Sequence, residues 1–415
     1  MTAVRNGCSD VIVVGAGLAG LACALDLAAA GWDVRVLEAS DGVGGRMRTD
    51  AHRGFLMDRG FQVFNTSYPQ VKRRLRLADL RLRPFTPGVL VHTPDGGRVR
   101  FSDPTRRPGD AARLLDGRHA TVRDLTALAA LTARDTLVPP RWLKRRPEHT
   151  TRTELARAGL SDRAVDSFLR PFLAGVFLED ELETSSRVFH LVWRSFVRGS
   201  LTLPAGGIGA VPGQLAAALP PGGVELATPV AAVAEGGVVL GDGSVREARV
   251  VVVATDAETA SVLVPELAVP RTRTVTTYYH AASVPPLREP TLLLDARRRF
   301  LNTCVLTEVS STYSTDGRAL VSTSVLGEDA PGREAAVRSA LSEAYAAATA
   351  DWETVAAYTV PGALPAMPPP WPLTRSGRVS DGLYVCGDHR ASGSVQGAMA
   401  SGARAARDVL AARGR

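Results

Sequence analysis

The hydrophobic pattern changes period twice within the first forty residues. Asp10-Val11-Ile12-Val13-Val14 holds an unbroken apolar run, the pattern of a parallel strand covered on both faces. Gly15-Ala16-Gly17-Leu18-Ala19-Gly20 follows at once. An alanine- and leucine-rich stretch then runs to Ala30 and stops at Gly31, a helix C-cap signal. Asp33-Val34-Arg35-Val36-Leu37-Glu38 reads as a second strand ending in an acid. Residues 11–25 are apolar enough to resemble an export signal, but Asp10 and Asp26 bracket them and they fall short of a span of about 20. The pattern predicts a buried strand and helix.

Further along, residues 114–136 and 151–196 have helical spacing, with Pro139, Pro140, Pro147 and Pro171 between and within them. They predict a helical insertion capping a substrate pocket. Its aromatic residues Phe168, Phe172, Phe177, Phe189, Trp193 and Phe196 read as core, with substrate contact as the alternative. Residues 224–233 carry a β pattern. A hairpin at Gly241-Asp242-Gly243 leads to the apolar strand 248–254, ending in Thr255-Asp256. Thr- and Val-rich alternation at 272–279 and 319–325 predicts a mixed sheet on the floor of the substrate domain, and 332–350 a helix. Leu383-Tyr384-Val385-Cys386 is a last apolar strand, followed by Gly387-Asp388-His389 and then Ser392-Gly393-Ser394-Val395-Gln396-Gly397-Ala398, which opens a final helix.

Composition narrows the class. A chain of 415 residues, 45% hydrophobic and 22% charged, predicts two or three globular domains rather than disorder. The net charge is +7, only Lys72 and Lys144 are lysines, and no long basic run with interleaved aromatics appears. Nucleic-acid binding is therefore not expected. The densest basic stretch, Lys72-Arg73-Arg74-Leu75-Arg76 with Arg81 and Arg83, reads either as a solvated helix face or as a peripheral contact with an anionic lipid surface or acidic partner. Cys8, Cys23, Cys304 and Cys386 show neither CxxC nor metal spacing, so no metal site or disulfide framework is expected and a reducing cytoplasm is the expected compartment.

The first βαβ unit carries GxGxxG at its strand–helix turn and an acid 18 residues after the last glycine. Gly15 permits the tight turn, Gly17 lets the backbone approach a pyrophosphate, and Gly20 allows close helix packing. The helix N-terminus offers free N–H groups and a positive dipole end to the phosphates. Glu38 is placed to accept from both ribose hydroxyls and to repel a 2′-phosphate. These features predict dinucleotide binding. Ala39-Ser40-Asp41-Gly42-Val43-Gly44-Gly45-Arg46 adds a second glycine-rich loop that puts Arg46 near the diphosphate.

With Gly15, Gly17, Gly20, Glu38, Gly44, Gly45, Arg46, Asp58 and Gly60 in this order, the chain resembles the flavin-containing amine oxidase superfamily, which includes phytoene desaturases, protoporphyrinogen oxidases and monoamine oxidases. The resemblance also covers Pro204-Ala205-Gly206-Gly207 to Pro212, Thr228-Pro229-Val230 and the Gly387-Asp388 strand end. It implies a non-covalently bound FAD on a Rossmann-like α/β domain with a doubly wound parallel sheet, beside an α+β substrate domain with a helical cap. Residues 1–78, 203–268 and 361–415 are expected to form the cofactor domain, and 79–202 and 269–360 the substrate domain. The cofactor-binding positions implied are Gly15, Ala16, Gly17, Ala19, Gly20, Glu38, Ala39, Ser40, Gly44, Gly45, Arg46, Gly60, Phe61, Gln62, Val230, Gly387, Asp388, Ser394, Val395, Gln396 and Ala398. Cys386 reads as a small core residue rather than a covalent tether, and His389 as a loop residue, with cofactor contact as the alternative.

The resemblance implies an oxidoreductase moving hydride from a substrate C–H to the flavin. Amine-oxidising members typically place a lysine beside the flavin, and this chain has none in 271–360. Desaturation of a C–C bond in a small apolar molecule is the leading expectation. Amine or amino-acid oxidation and redox-neutral isomerisation are the alternatives. No catalytic residue, substrate identity, electron acceptor or oligomeric state follows from the sequence.

Overall fold

The strand Ser9–Val14 lies between Val34–Leu37 and Val245–Val253 and runs parallel to both, with Val11 opposite Val34 and Val250. Val224–Glu225 extends this parallel array beyond Val34–Leu37, and Leu383–Val385 extends it beyond Val245–Val253. These observations come from a computed structural model that describes residues 9–102 and 120–413. Five parallel strands thus come from three distant parts of the chain, and both faces are covered. Val11, Val13, Val36 and Val252 pack under the helices Leu18–Ala29, Ala210–Ala216 and Val395–Arg413. Ile12, Val14, Leu37, Val251 and Val253 pack under the helix Ala257–Leu263 and the strand Gly237–Leu240. Double coverage is why these strands read as continuous apolar runs.

A second sheet of seven strands is built on three long neighbours, Glu353–Pro365, Thr272–Ala282 and Ala319–Leu326, paired antiparallel. One face carries Tyr278, Val321 and Val325 against the helix Arg333–Tyr345. The other carries Tyr279, Ala281 and Leu320 against Phe55 and Met57 of the strand Phe55–Asp58. The sheet packs directly on the segment that follows the second glycine loop. The expected division at 360/361 falls inside the strand Glu353–Pro365.

Helices Val122–Leu137, Thr151–Arg157, Arg170–Phe177 and Ser186–Arg198 form a third layer around Leu131, Leu155, Leu173, Phe177, Phe189 and Trp193. Three of the singled-out aromatics are buried core, whereas Phe168, Phe172 and Phe196 are half-buried, with Phe168 stacked on Phe101 at 4.5 Å. Of the expected helix 114–136, residues 114–119 lie outside the described residues. The remainder starts at Val122, where Thr121 and Asp124 form a reciprocal capping box.

Two sequence expectations shift in detail. The β pattern at 224–233 divides into Val224–Glu225 and Val230–Ala234, because Ala227 takes a left-handed φ of 50° and Pro229 follows. The helix expected over 332–350 ends at Tyr345. Ala346, at φ 51°, turns its N–H to the Glu343 carbonyl while Ala347 N–H reaches Ser342, a stop that no glycine announces.

Candidate cofactor site

Gly15 leaves the first strand at φ 103°, donating its N–H to the Leu37 carbonyl at 2.8 Å. A Cβ there would lie 3.1 Å from the Ala254 carbonyl oxygen, so only glycine makes this turn without strain. Gly17 is the N-cap of the helix Leu18–Ala29 and supplies no side-chain cap. The first-turn N–H groups have no partner within the helix, and a Cβ on Gly17 would meet no atom within 4 Å. A Cβ on Gly20 would run into the Gly15 carbonyl, and one on Gly402 into the carbonyl of Ala19, so the first helix sits tightly on its turn and on the last helix.

The second glycine loop docks directly on the first. Gly44 N–H donates to the Ala16 carbonyl at 2.9 Å, and Gly17 and Gly44 form a parallel bridge. Gly44 has φ 117°, and any side chain there would strike the Met47 carbonyl and the Pro212 ring. Gly45, at φ 59°, lies beside Gly17, and a Cβ there would be in ordinary contact with the Gly17 Cα at 3.6 Å. Glu38 is buried beneath this junction. One carboxylate oxygen accepts from Ala16 N–H at 2.7 Å, and the other from Ser40 N–H and the Ser40 hydroxyl at 3.0 and 2.7 Å. Three of the about four acceptor sites of a carboxylate are thereby filled, so Glu38 stiffens the turn and keeps room for about one further donor. Thr228 N–H donates to the Glu38 carbonyl and Ala227 N–H to that of Ser40, which lays the segment leading to Val230 along Glu38, Ala39 and Ser40.

Arg46 meets Asp388 at 2.7 Å, and its other terminal nitrogen donates to the carbonyls of Ala363 and Gly362 at 2.6 and 3.3 Å. Burial pulls the guanidinium pKa down, but the Asp388 carboxylate outweighs it and the net shift is upward. Gln62 donates to the Arg46 carbonyl at 3.0 Å, Phe61 N–H donates to the Thr277 hydroxyl, and Gly60 faces Val360. Gly387 N–H donates to the Ser401 hydroxyl. His389 is buried with neither ring nitrogen partnered, and burial first, then the charges of Arg390, Arg46 and Arg375, push its pKa down to about 4. It is a neutral imidazole with a donor and an acceptor to spare.

The final helix meets the site through Ser394, whose hydroxyl accepts from Gly397 N–H at 3.0 Å. Val395 and Ala398 pack on the cofactor-side core, and the Gln396 side chain accepts from Gln70 N–H, which tethers the helix Pro69–Arg74. Cys386 is fully buried with its thiol against that of Cys23, whose own pKa this contact and burial raise. Half of the Lys72 stretch is paired: Arg73 and Arg74 both reach Asp26, at 3.2 and 2.6 Å, and Arg76 reaches Asp79.

The last six residues of the strand Glu353–Pro365 escaped sequence reasoning. Val360 lies beside Gly60, Gly362 and Ala363 hold Arg46, and Leu364 and Pro365 press on Gly393. Their contributions are main-chain carbonyls and packing, which no residue type advertises. The pair Pro361-Gly362 inside a β run was the available signal, since it marks a local break. A cleft of about 270 Å³ is lined by Glu179, Glu183, Thr272, Arg273 and Leu326, and Thr272 and Arg273 are the strand partners of Pro365 and Leu364.

An open glycine-lined turn at an uncapped helix N-terminus, an acid at the end of the second strand and an orphaned buried imidazole together fit an extended dinucleotide. The model of the flavin containing amine oxidoreductase family matches residues 18–410. Among curated relatives, an L-amino-acid oxidase of Crotalus adamanteus is 42% identical over 86 residues, 21% of this chain and 16% of that one. A neurosporene-forming phytoene desaturase of Cereibacter sphaeroides is 34% identical over 114 residues, 26% of this chain and 22% of that one. The match thus spans about a fifth or less of the length of these relatives. Among solved structures, cyclohexylamine oxidase from Brevibacterium oxydans shares the fold, with a TM-score of 0.73 at 20% identity over 98% of this chain and 100% of that one. The family model covers nearly the whole chain, and the chain belongs to the flavin-containing amine oxidoreductase family.

Proposed function

We propose that this enzyme dehydrogenates a C–C bond of a small apolar molecule and holds FAD without a covalent bond. Bound FAD supplies the hydride acceptor. The chain's part is to bind, orient and keep water out. The turn Gly15–Gly20 and the uncapped helix behind it would take the diphosphate, Glu38 a ribose hydroxyl, and the Arg46–Asp388 pair the ribityl and phosphate side. Cys386 is sealed in the core, which argues against a thioether tether.

The observation that carries the C–C reading is the position of the two lysines. Lys72 is exposed on the helix Pro69–Arg74 and Lys144 is exposed at the end of the helix Pro140–Leu143. The residues of the second sheet that face Asp58–Phe61 are Thr277, Tyr279 and Val360, which bring hydroxyls and apolar surface but no amine. The cofactor domain is then assigned 1–78, 203–268 and 366–415, with the strand Glu353–Pro365 kept whole on the substrate side.

The L-amino-acid oxidase match favours a second reading, oxidation of a C–N bond, over a fifth of the chain. Anaerobic mixing separates the two. Bleaching of the flavin by a partly saturated polyene, with none by amines or amino acids, is the expected result. Bleaching by an amine or amino acid alone would overturn the C–C reading.

A further inference from the structure

The turn joining the helices Val122–Leu137 and Pro140–Leu143 presents two large apolar side chains to solvent: Leu137 is 82% exposed and Trp142 56%. Around them stand Arg141, Lys144, Arg145 and Arg198, all exposed and none in an ion pair among the described residues. Arg198 donates to the Thr136 carbonyl, so it belongs to the same tip. No acid occurs from 136 to 147. The two flanking acids are turned inward: Asp135 is buried against His190, and Glu148 is held by Ser185, Trp371 N–H and Arg187.

The tip is also rigid. Arg194 donates to the carbonyls of Asp135, Thr136 and Val138 at 2.6, 2.7 and 2.9 Å, Pro139 and Pro140 restrict the bend, and Leu143 is fully buried beneath it. Apolar side chains held out on a fixed scaffold, with an unneutralised cationic collar, match one surface chemistry. Anionic headgroups satisfy the collar while an aliphatic and an indole side chain enter the layer beneath, where tryptophan is favoured. A second copy would bring like charges face to face, and a nucleic acid would leave Leu137 without a partner.

We propose that the 137–145 tip docks this protein peripherally on an anionic lipid bilayer. It is preferred to the Lys72 stretch, where Arg73, Arg74 and Arg76 are paired with Asp26 and Asp79 and no large apolar side chain is held out among the charges. No described helix is long and apolar enough to span, so contact is confined to the surface. The inference does not depend on which bond the enzyme oxidises.

The test is co-sedimentation of the intact holoprotein with phosphatidylglycerol–phosphatidylcholine vesicles and with phosphatidylcholine alone. Binding to the anionic vesicles, at least tenfold weaker for Trp142→Ala combined with Leu137→Ser and weakened by salt, is the expected result. Both substitutions are at exposed positions, and retained flavin absorbance and helix content would show the variant is folded. Four outcomes overturn the proposal: no binding to anionic vesicles at low salt, equal binding by the variant, Trp142-dependent self-association without lipid binding, or Trp142-dependent binding of RNA without lipid binding.

Discussion

Arg46 and Asp388 lie 2.7 Å apart and join the second glycine loop to the last strand end of the parallel sheet. Arg46 is fixed further by the carbonyls of Gly362 and Ala363, so one guanidinium links three segments that are distant in the sequence. Asp388→Asn keeps the shape and removes the charge. Its cost should lie between the ~1 kcal/mol of an exposed pair and the ~3–5 kcal/mol of a buried one. We expect a lowered Tm and a fall in the flavin-to-protein ratio on purification. Full flavin occupancy in the variant would remove this pair from the cofactor assignment.

Glu38→Gln is the matching test at the other end of the cradle. Glutamine retains one oxygen for Ala16 or Ser40 but loses a charged acceptor. A hydrogen bond to a charged group contributes roughly 1.5–3 kcal/mol, so FAD should dissociate about 10–100-fold more readily. Titration of the apoprotein by flavin fluorescence reads this, with circular dichroism showing the fold intact. An unchanged dissociation constant would leave Glu38 with its turn-stiffening role alone.

Asp58 gives stability a pH slope of unusual sign for a carboxylate. Burial pushes it up to about 6, against the donors Thr49, Ile208 N–H and Tyr313 that favour its charged form. An unfolded aspartate titrates near ~3.9. Between about pH 4 and pH 6 the folded chain therefore holds a proton that the unfolded chain has released, and stability falls as pH rises. Two pKa units correspond to about 3 kcal/mol. The Tm difference between the parent and Asp58→Asn should move in favour of the variant across this window. A constant difference would mean Asp58 is ionised throughout.

His190 has the opposite arrangement within the helical layer. Burial lowers its pKa, but Asp135 at 2.8 Å and Glu154 at 3.1 Å outweigh that, and the imidazole is held above its ordinary value. A raised folded pKa stabilises fully below the unfolded value and loses its contribution as pH rises through the folded one. His190→Gln leaves two buried carboxylates with only Arg134 and Arg146 nearby. We expect a loss of about 3–5 kcal/mol in mild acid, narrowing in alkaline solution. A gap of the same size at both pH values would show that folding leaves the imidazole pKa unshifted, and a gap that widens in alkaline solution that the imidazole is neutral in the folded chain.

What the sequence disclosed was set by how local the physics is. The glycine turn, the first helix and the two apolar strands were legible because their pattern arises from double burial and one turn geometry. The final strand and helix were legible by the same logic. The carbonyls of Gly362 and Ala363 were not, because any residue carries a carbonyl and its direction depends on the pairing of Glu353–Pro365 with Thr272–Ala282. The orphaned state of His389 is likewise a property of what surrounds it. The pairing of Asp26 with Arg73 and Arg74, which offsets part of a stretch that looks basic, needs two helices to meet.

The packing of Gly402 on Ala19 sets an order of assembly. The first helix emerges early in synthesis, yet the surface it needs is made by residues near 400, and the strand Leu383–Val385 must enter the sheet before Asp388 can reach Arg46. Until then the half-built cradle exposes apolar helix surface and holds only part of a ligand. Contacts of such sequence separation form slowly and leave a long interval open to aggregation. Cofactor capture is therefore expected late in maturation, and a chain truncated before residue 383, which lacks Asp388 and the last helix, is expected to purify without flavin colour.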